Sequence, residues 1–131
     1  MTTTPNALTP INAALDALRG QFSGHTVEAT READGDAIVV VHDVHVGDQY
    51  EPKTTWLGFR ITSAYPSADI YPHYIGRVLR RDGETHGSAV QPVDWQGREA
   101  LQLSRRSNGW NPRRDTACLK AVKVLAWFAD Q

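Results

Sequence analysis

Cysteine is almost missing: Cys118 is the only one in 131 residues. A lone thiol cannot build an internal disulfide framework, which excludes the small, disulfide-stapled class of secreted domains. Long apolar runs are missing too, since none approaches the ~20 residues that a membrane-spanning helix needs. The opening residues, MTTTPNALTP, have neither the basic start nor the apolar stretch of a secretory signal, so a reducing cytoplasm is the expected setting. Net charge is small, −1 at neutral pH, and that argues against bulk attraction to nucleic acid or to an anionic membrane. No internal repeat, low-complexity tract or linker is visible. A metal-binding pattern is not visible either: His42 and His45 lie three apart on a predicted strand and face opposite sides, so they cannot easily share one ion. No cofactor is implied.

What remains is a chain built for one core. Its length and its hydrophobic fraction of 40% suit a single ordinary domain, read as residues 9–131 behind a flexible leader of residues 1–8. Thr9-Pro10 pairs an N-cap hydroxyl with proline at the first helical position, where the missing N–H costs nothing. Ile11, Ala14, Leu15, Leu18 and Phe22 then recur on one helical face, and Gly20 or Gly24 can end the helix.

Beyond residue 25 the period shortens to that of strands. Residues 26–32 and 37–46 around Asp34-Gly35 predict a hairpin, and residues 54–62, with Trp56, Leu57, Phe59 and Ile61, predict a third strand. The run from Tyr65-Pro66 to Tyr71-Pro72 breaks regular structure, because proline removes a ladder donor and restricts its predecessor. Residues 74–79 predict a fourth strand. Residues 85–100 contain Gly87, Pro92 and Gly97 with no sustained period, which predicts a long irregular loop before a short extended piece at 101–103. A last helix is expected from about 114 to 129, with Cys118, Leu119, Val122, Leu125, Ala126 and Ala129 as its apolar stripe. The fold class is α+β: an N-terminal helix, a four-stranded antiparallel meander, a long irregular region and a C-terminal helix.

Charge is unevenly spread. Between residues 77 and 114 lie Arg77, Arg80, Arg81, Arg98, Arg105, Arg106, Arg113 and Arg114, against Asp82, Glu84, Asp94 and Glu99. Residues 101–112 carry part of this excess beside Trp110, and they are the candidate working surface.

The same segment carries a resemblance. In the ubiquitin-conjugating (UBC) family, Tyr-Pro follows the third strand, the catalytic cysteine lies in an Ile-Cys-Leu type triplet, and the tryptophan of a Trp-Ser-Pro motif follows eight residues later. Here Tyr65-Pro66 follows the third predicted strand, and Leu101-Gln102-Leu103 is followed at that spacing by Trp110-Asn111-Pro112. The order of elements and these motifs resemble the UBC fold, with Gln102 at the cysteine position. Leu-Gln-Leu-Ser-Arg-Arg followed by Trp-Asn-Pro and a helix is most similar to a bacterial branch, the prokaryotic family E of UBC-like proteins. The resemblance covers residues 9–131 in topology and residues 65–72 and 101–128 in motif. It implies a conjugation pathway, with a ubiquitin-like modifier protein and an activating enzyme as partners and the first helix, which carries Arg19, facing the enzyme. Three departures stand out: Gln102 cannot form a thioester, no His-Pro-Asn motif precedes it, and the interval from Tyr-Pro to Gln102 is longer than usual.

Several residues are then candidates for chemistry. If residues 101–105 are extended, Gln102 and Ser104 share a face, which makes Ser104 a candidate nucleophile for an oxyester. His86, His73 and Asp94 are the groups that would assist it; the alternative is a loop hydroxyl bonding backbone, for Ser104 and for Ser107. Arg105, Arg106, Arg113 and Arg114 near Trp110 suit a carboxylate or phosphate through the guanidinium fork, or a stacked base, or plain solvation. Under the UBC resemblance their partner is the acidic or carboxyl-terminal part of the modifier. Tyr65, Pro66 and Trp110 are the remaining binding candidates, although Trp56, Tyr65, Tyr71, Trp110 and Trp127 also suit core or loop anchors. Cys118, on the apolar stripe, reads as packing rather than nucleophile. Three functions follow: a carrier of the modifier on Ser104, an inactive UBC-like scaffold for modifier or enzyme, and an arginine-rich nucleic-acid-binding domain.

Overall fold

Thr9 caps the first helix, α1 (Pro10–Gln21), its hydroxyl accepting from Asn12 N–H at 3.1 Å with proline at the first helical position. Ile11, Ala14, Leu15, Leu18 and Phe22 are all buried, as their spacing predicts. The computed structural model describes residues 9–131, and the expected leader, residues 1–8, lies outside the described residues.

The strands that follow are β1 (Val27–Arg31), β2 (Ala37–His45), β3 (Tyr50–Glu51), β4 (Thr54–Ile61), β5 (His73–Gly76), β6 (Leu79–Arg80), β7 (Val90–Trp95) and β8 (Arg98–Leu103), before the second helix, α2 (Ala117–Ala129). β1 and β2 form the expected hairpin, with Gly35 in the left-handed region at φ 95°. All pairings of the main sheet are antiparallel, and its order is β1-β2-β4-β5-β8-β7. β3 and β6 make a separate two-stranded pairing, so the expected fourth strand is divided in two.

The sheet therefore has six strands where four were expected. The additional pair occupies most of the region read as irregular. Gln96 and Gly97 both have positive φ, 52° and 73°, which is the backbone of a two-residue hairpin turn matched to strand twist. Pro92 does not interrupt β7, because its position in the ladder needs no donor. Ser104 N–H donates to Ala89 carbonyl at 2.8 Å, so by antiparallel alternation residues 91, 93 and 95 face β8 and residue 92 faces the free edge. A proline there lacks only a donor that no strand needs, and it discourages edge pairing.

Alternation divides the sheet into two faces. Val39, Val41, Leu57, Phe59, Ile75, Leu101 and Leu103 join the buried faces of both helices in one core. The opposite face carries Trp56, Tyr74 and Trp95, with Trp95 stacked on Tyr74 at 4.6 Å and on Trp56 at 5.8 Å. Arg98 lies over the Trp56 ring at 5.5 Å. Glycine is required beneath this stack, since a Cβ on Gly58 would stand 2.3 Å from the Trp95 ring.

The last helix begins later than expected. Thr116 caps it, accepting from Leu119 N–H at 3.1 Å. The face it buries is also not the predicted stripe: Ala117, Lys120, Ala121, Val124 and Phe128 turn inward, while Leu119 is 49% exposed and Val122 38% exposed. A lysine on the inward face hid the true period.

Gly58→Ala is expected to cost about 1–3 kcal/mol in urea unfolding by displacing Trp95. The substitution should reduce near-ultraviolet tryptophan ellipticity, and a variant with unchanged ellipticity and stability would contradict the close packing.

Candidate functional site

The segment after β8 is held down by a buried polar network. Lys120 Nζ, on a side chain only 5% exposed, donates to Asp69 Oδ1 at 3.1 Å, to Asp69 Oδ2 at 3.2 Å and to Ser107 Oγ at 2.7 Å. Ser107 closes the network from its own side, giving its backbone N–H to Asp69 Oδ2 at 2.9 Å and its hydroxyl to Oδ1 at 3.0 Å. Burial raises the Asp69 carboxyl, but the Ser107 and Lys120 donors outweigh it and hold the group below its ordinary range. Burial also draws the Lys120 ammonium below its ordinary range, against the pull of Asp69. Asp69 and Lys120 were not among the sequence candidates.

Beside this network the two motifs of the resemblance meet. Trp110 Nε1 donates to Pro66 carbonyl at 2.8 Å, and the Tyr65 and Trp110 rings lie 6.5 Å apart. Tyr65 hydroxyl accepts from Ala117 N–H at 3.1 Å, which satisfies one of the free donors at the start of α2. Asp115 and Asn111 close the intervening turn: Asn111 N–H donates to Asp115 Oδ2 at 2.7 Å, and Arg113 N–H to Asn111 Oδ1 at 3.0 Å. Tyr65, Pro66 and Trp110 thus hold the loop against the helix.

A cleft of about 710 Å³ opens between residues 105–109 and α2. Arg105, Arg106, Arg114, Lys120 and Lys123 line it against a single carboxylate, Asp115. Lys120 is spent on Asp69, and Lys123 stands 4.0 Å from Asp115 at 70% exposure, a contact of little strength. Among the described residues neither Arg105, Arg106 nor Arg114 makes an ion pair. Arg105 lies over Trp127 at 5.8 Å and Arg106 over Tyr71 at 4.2 Å. The cleft is a concentration of unpaired guanidinium against an aromatic and aliphatic wall.

Gln102 and Ser104 are placed elsewhere. Gln102 pairs across the sheet with Tyr74 and Gln91, on the face turned away from the helices, and its amide donates to Ser104 Oγ at 3.3 Å. The two do share a face, as their spacing predicts. The three candidate helpers do not join them. His86 Nε2 donates to Val78 carbonyl at 2.7 Å, with its ring 5.9 Å from Tyr50 and 6.1 Å from Phe128. Asp94 contacts Arg77 at 3.5 Å at the surface, and His73 is fully buried in the core against Phe59. The described side-chain bonds give Ser104 no acid or base.

The cysteine packs against the core although the stripe that contains it is not the buried face of α2. Cys118 is half-buried against α1, its thiol donating weakly to Ala17 carbonyl at 3.8 Å, and burial raises its pKa. His42 bonds Glu28 while His45 bonds Asp48 at 2.9 Å, so the two imidazoles serve separate carboxylates.

Comparison with known proteins finds no matching family model, no similar curated protein and no similar solved structure.

Two stability outcomes follow from this polar interior. Asp69→Asn is expected to cost about 3–5 kcal/mol, because it leaves the buried Lys120 ammonium without its partner, and Lys120→Met to cost less, because the partly exposed Asp69 keeps the Ser107 and Ile70 donors. The double variant should cost less than their sum in a urea cycle; simple additivity would mean the pair is uncoupled. His73 has neither ring nitrogen hydrogen-bonded, and burial, assisted by Lys120, lowers its pKa to about 3. Its unfolded value is about 6.5, so the unfolded chain binds the proton first. Its contribution is therefore fully present above about pH 6.5 and is lost as pH falls toward 3. His73→Leu should flatten the stability profile between about pH 6.5 and 4.5, above the Asp69 window. Parallel wild-type and variant profiles there would refute the assignment.

Proposed function

We propose that this chain is a UBC-like component of a bacterial ubiquitin-like conjugation pathway, one that holds or presents a modifier without a covalent bond to it. The carrying observation is the hydrogen bond from Trp110 Nε1 to Pro66 carbonyl across 44 residues. It brings the Tyr-Pro and Trp-x-Pro motifs to the start of α2, with Gln102 eight residues before the tryptophan. The α+β order of an N-terminal helix, an antiparallel sheet and a C-terminal helix is consistent with this reading.

Holding is favoured over carrying on chemical grounds. A serine attacks a carbonyl efficiently only with a base to take its proton, and the amide of Gln102 is not a base. Nucleic-acid binding is disfavoured by the same kind of argument, because guanidinium groups already face the Trp127 and Tyr71 rings that would stack bases.

The test is incubation with a bacterial ubiquitin-like modifier, its activating enzyme and ATP. Retention of the modifier in a native pull-down, with no adduct on denaturing electrophoresis, is the expected result. An adduct that resists thiol reductant, is cleaved by hydroxylamine and is absent from Ser104→Ala would replace the scaffold with an oxyester carrier. Neither retention nor adduct would remove both.

A further inference from the structure

We propose that the basic cleft is a docking groove for an extended acidic peptide segment in which acidic and apolar residues alternate. This inference rests on the shape and charge of the cleft alone and stands whether or not the conjugation reading does.

The groove runs along one face of α2 from Leu119 to Trp127, eight helical steps and so about 12 Å of helix. An extended chain rises about 3.3 Å per residue, so roughly four residues span that length and a fifth reaches the turn at Arg114. Side chains of an extended segment alternate in direction. One set would meet the wall formed by Leu119 and Trp127, and the other would meet the cationic rim of Arg105, Arg106, Arg114 and Lys123. The half-buried Trp127 and the 49% exposed Leu119 leave apolar surface for the first set.

The guanidinium groups are partly organised before any ligand arrives. The position of Arg105 over Trp127 and of Arg106 over Tyr71 restricts two long side chains, and neither guanidinium is engaged in an ion pair that a carboxylate ligand would have to displace. This reduces the side-chain entropy lost on binding. The cationic rim stands beside aliphatic as well as aromatic surface, Leu119 with Trp127, which suits an acidic peptide with apolar side chains better than a strand of stacked bases. Lys120 stays outside the ligand contacts, because its ammonium is committed to Asp69 and Ser107.

The probe is a fluorescein-labelled, end-capped hexapeptide alternating glutamate and leucine, titrated with the full chain and read by fluorescence polarisation. Saturable binding that weakens with added salt is expected. The Arg105→Ala, Arg106→Ala double variant and Lys123→Glu should each weaken it about tenfold, and the double variant should keep the fold, read as an unchanged far-ultraviolet spectrum and a cooperative thermal transition, since both arginines are exposed and lack ion pairs. Arg98→Ala, on the opposite face of the sheet, should bind as the wild type does. Absence of saturable binding, equal affinity for an alternating lysine and leucine peptide, or equal loss in Arg98→Ala would overturn the groove. So would an oligothymidylate that binds tightly where the acidic peptide does not. Because no modifier is used, failure of this titration leaves the pull-down result untouched, and failure of the pull-down leaves the groove standing.

Discussion

The Asp69 carboxylate is the point on which the less regular half of the molecule depends. It sits in the loop between β4 and β5, where proline denies the backbone a ladder, and it receives the Ile70 N–H at 2.7 Å besides the donors of Ser107 and Lys120. One side chain thus ties three segments distant in sequence: its own loop, the segment after β8, and α2. An apolar pair of similar volume would contribute as much stability or more, because the desolvation of two charges offsets most of their attraction. What the ion pair supplies is orientation. With Lys120 drawn inward to Asp69, Val124 and Phe128 follow it into the core, and Leu119, Lys123 and Trp127 are left to line the cleft.

That orientation is also where sequence reading loses its hold. Helix α1 was legible because its signals agree: Thr9 and Pro10 at the start, and an inward face with no polar residue in it. For α2, periodicity assigned the stripe through Cys118, Leu119 and Val122, because a lysine normally marks solvent and nothing near Lys120 in sequence announces its carboxylate. Asp69 lies 51 residues away in a proline-rich loop without a period. The β7–β8 hairpin was hidden for another reason, since Gln96-Gly97 lacks the usual asparagine or aspartate at its first turn position and Pro92 reads as a breaker when the free edge is not yet known. By contrast, the shared face of Gln102 and Ser104 was legible, because a period of two is a property of the strand itself. His86 was not placeable, as its carbonyl partner Val78 and its aromatic neighbours Tyr50 and Phe128 are set by tertiary packing.

The net charge of −1 conceals a segregation that only pairing reveals. Arg60 meets Glu32, Asp34 and Asp36; Arg77 meets Asp94 and Glu99; Arg80 meets Asp82; and Arg81 meets Glu51. These arginines brace turns and strand ends, with Asp36 held below its ordinary pKa range chiefly by the Arg60 hydrogen bond. Arg105 and Arg106, after β8, have no such acids and rest on aromatic rings instead. Composition treats both sets alike, yet one is internally neutralised and the other leaves its charge available to a ligand.

The strand end at β8 separates two environments within a few residues. Gln102 and Ser104 lie on the face turned away from the helices, whereas residues 105–109 wall the cleft beside α2. A group bound in the cleft therefore lies along the helix, and Ser104 is not among the residues that line it. If the cleft grips a partner, the grip and the hydroxyl address different sides of the same strand end. Reaction at Ser104 would then require the partner to wrap around that end and bring its own base. Binding at the cleft requires neither. The cations already stand unpaired, and the Asp69 network keeps the loop that carries two of them in place.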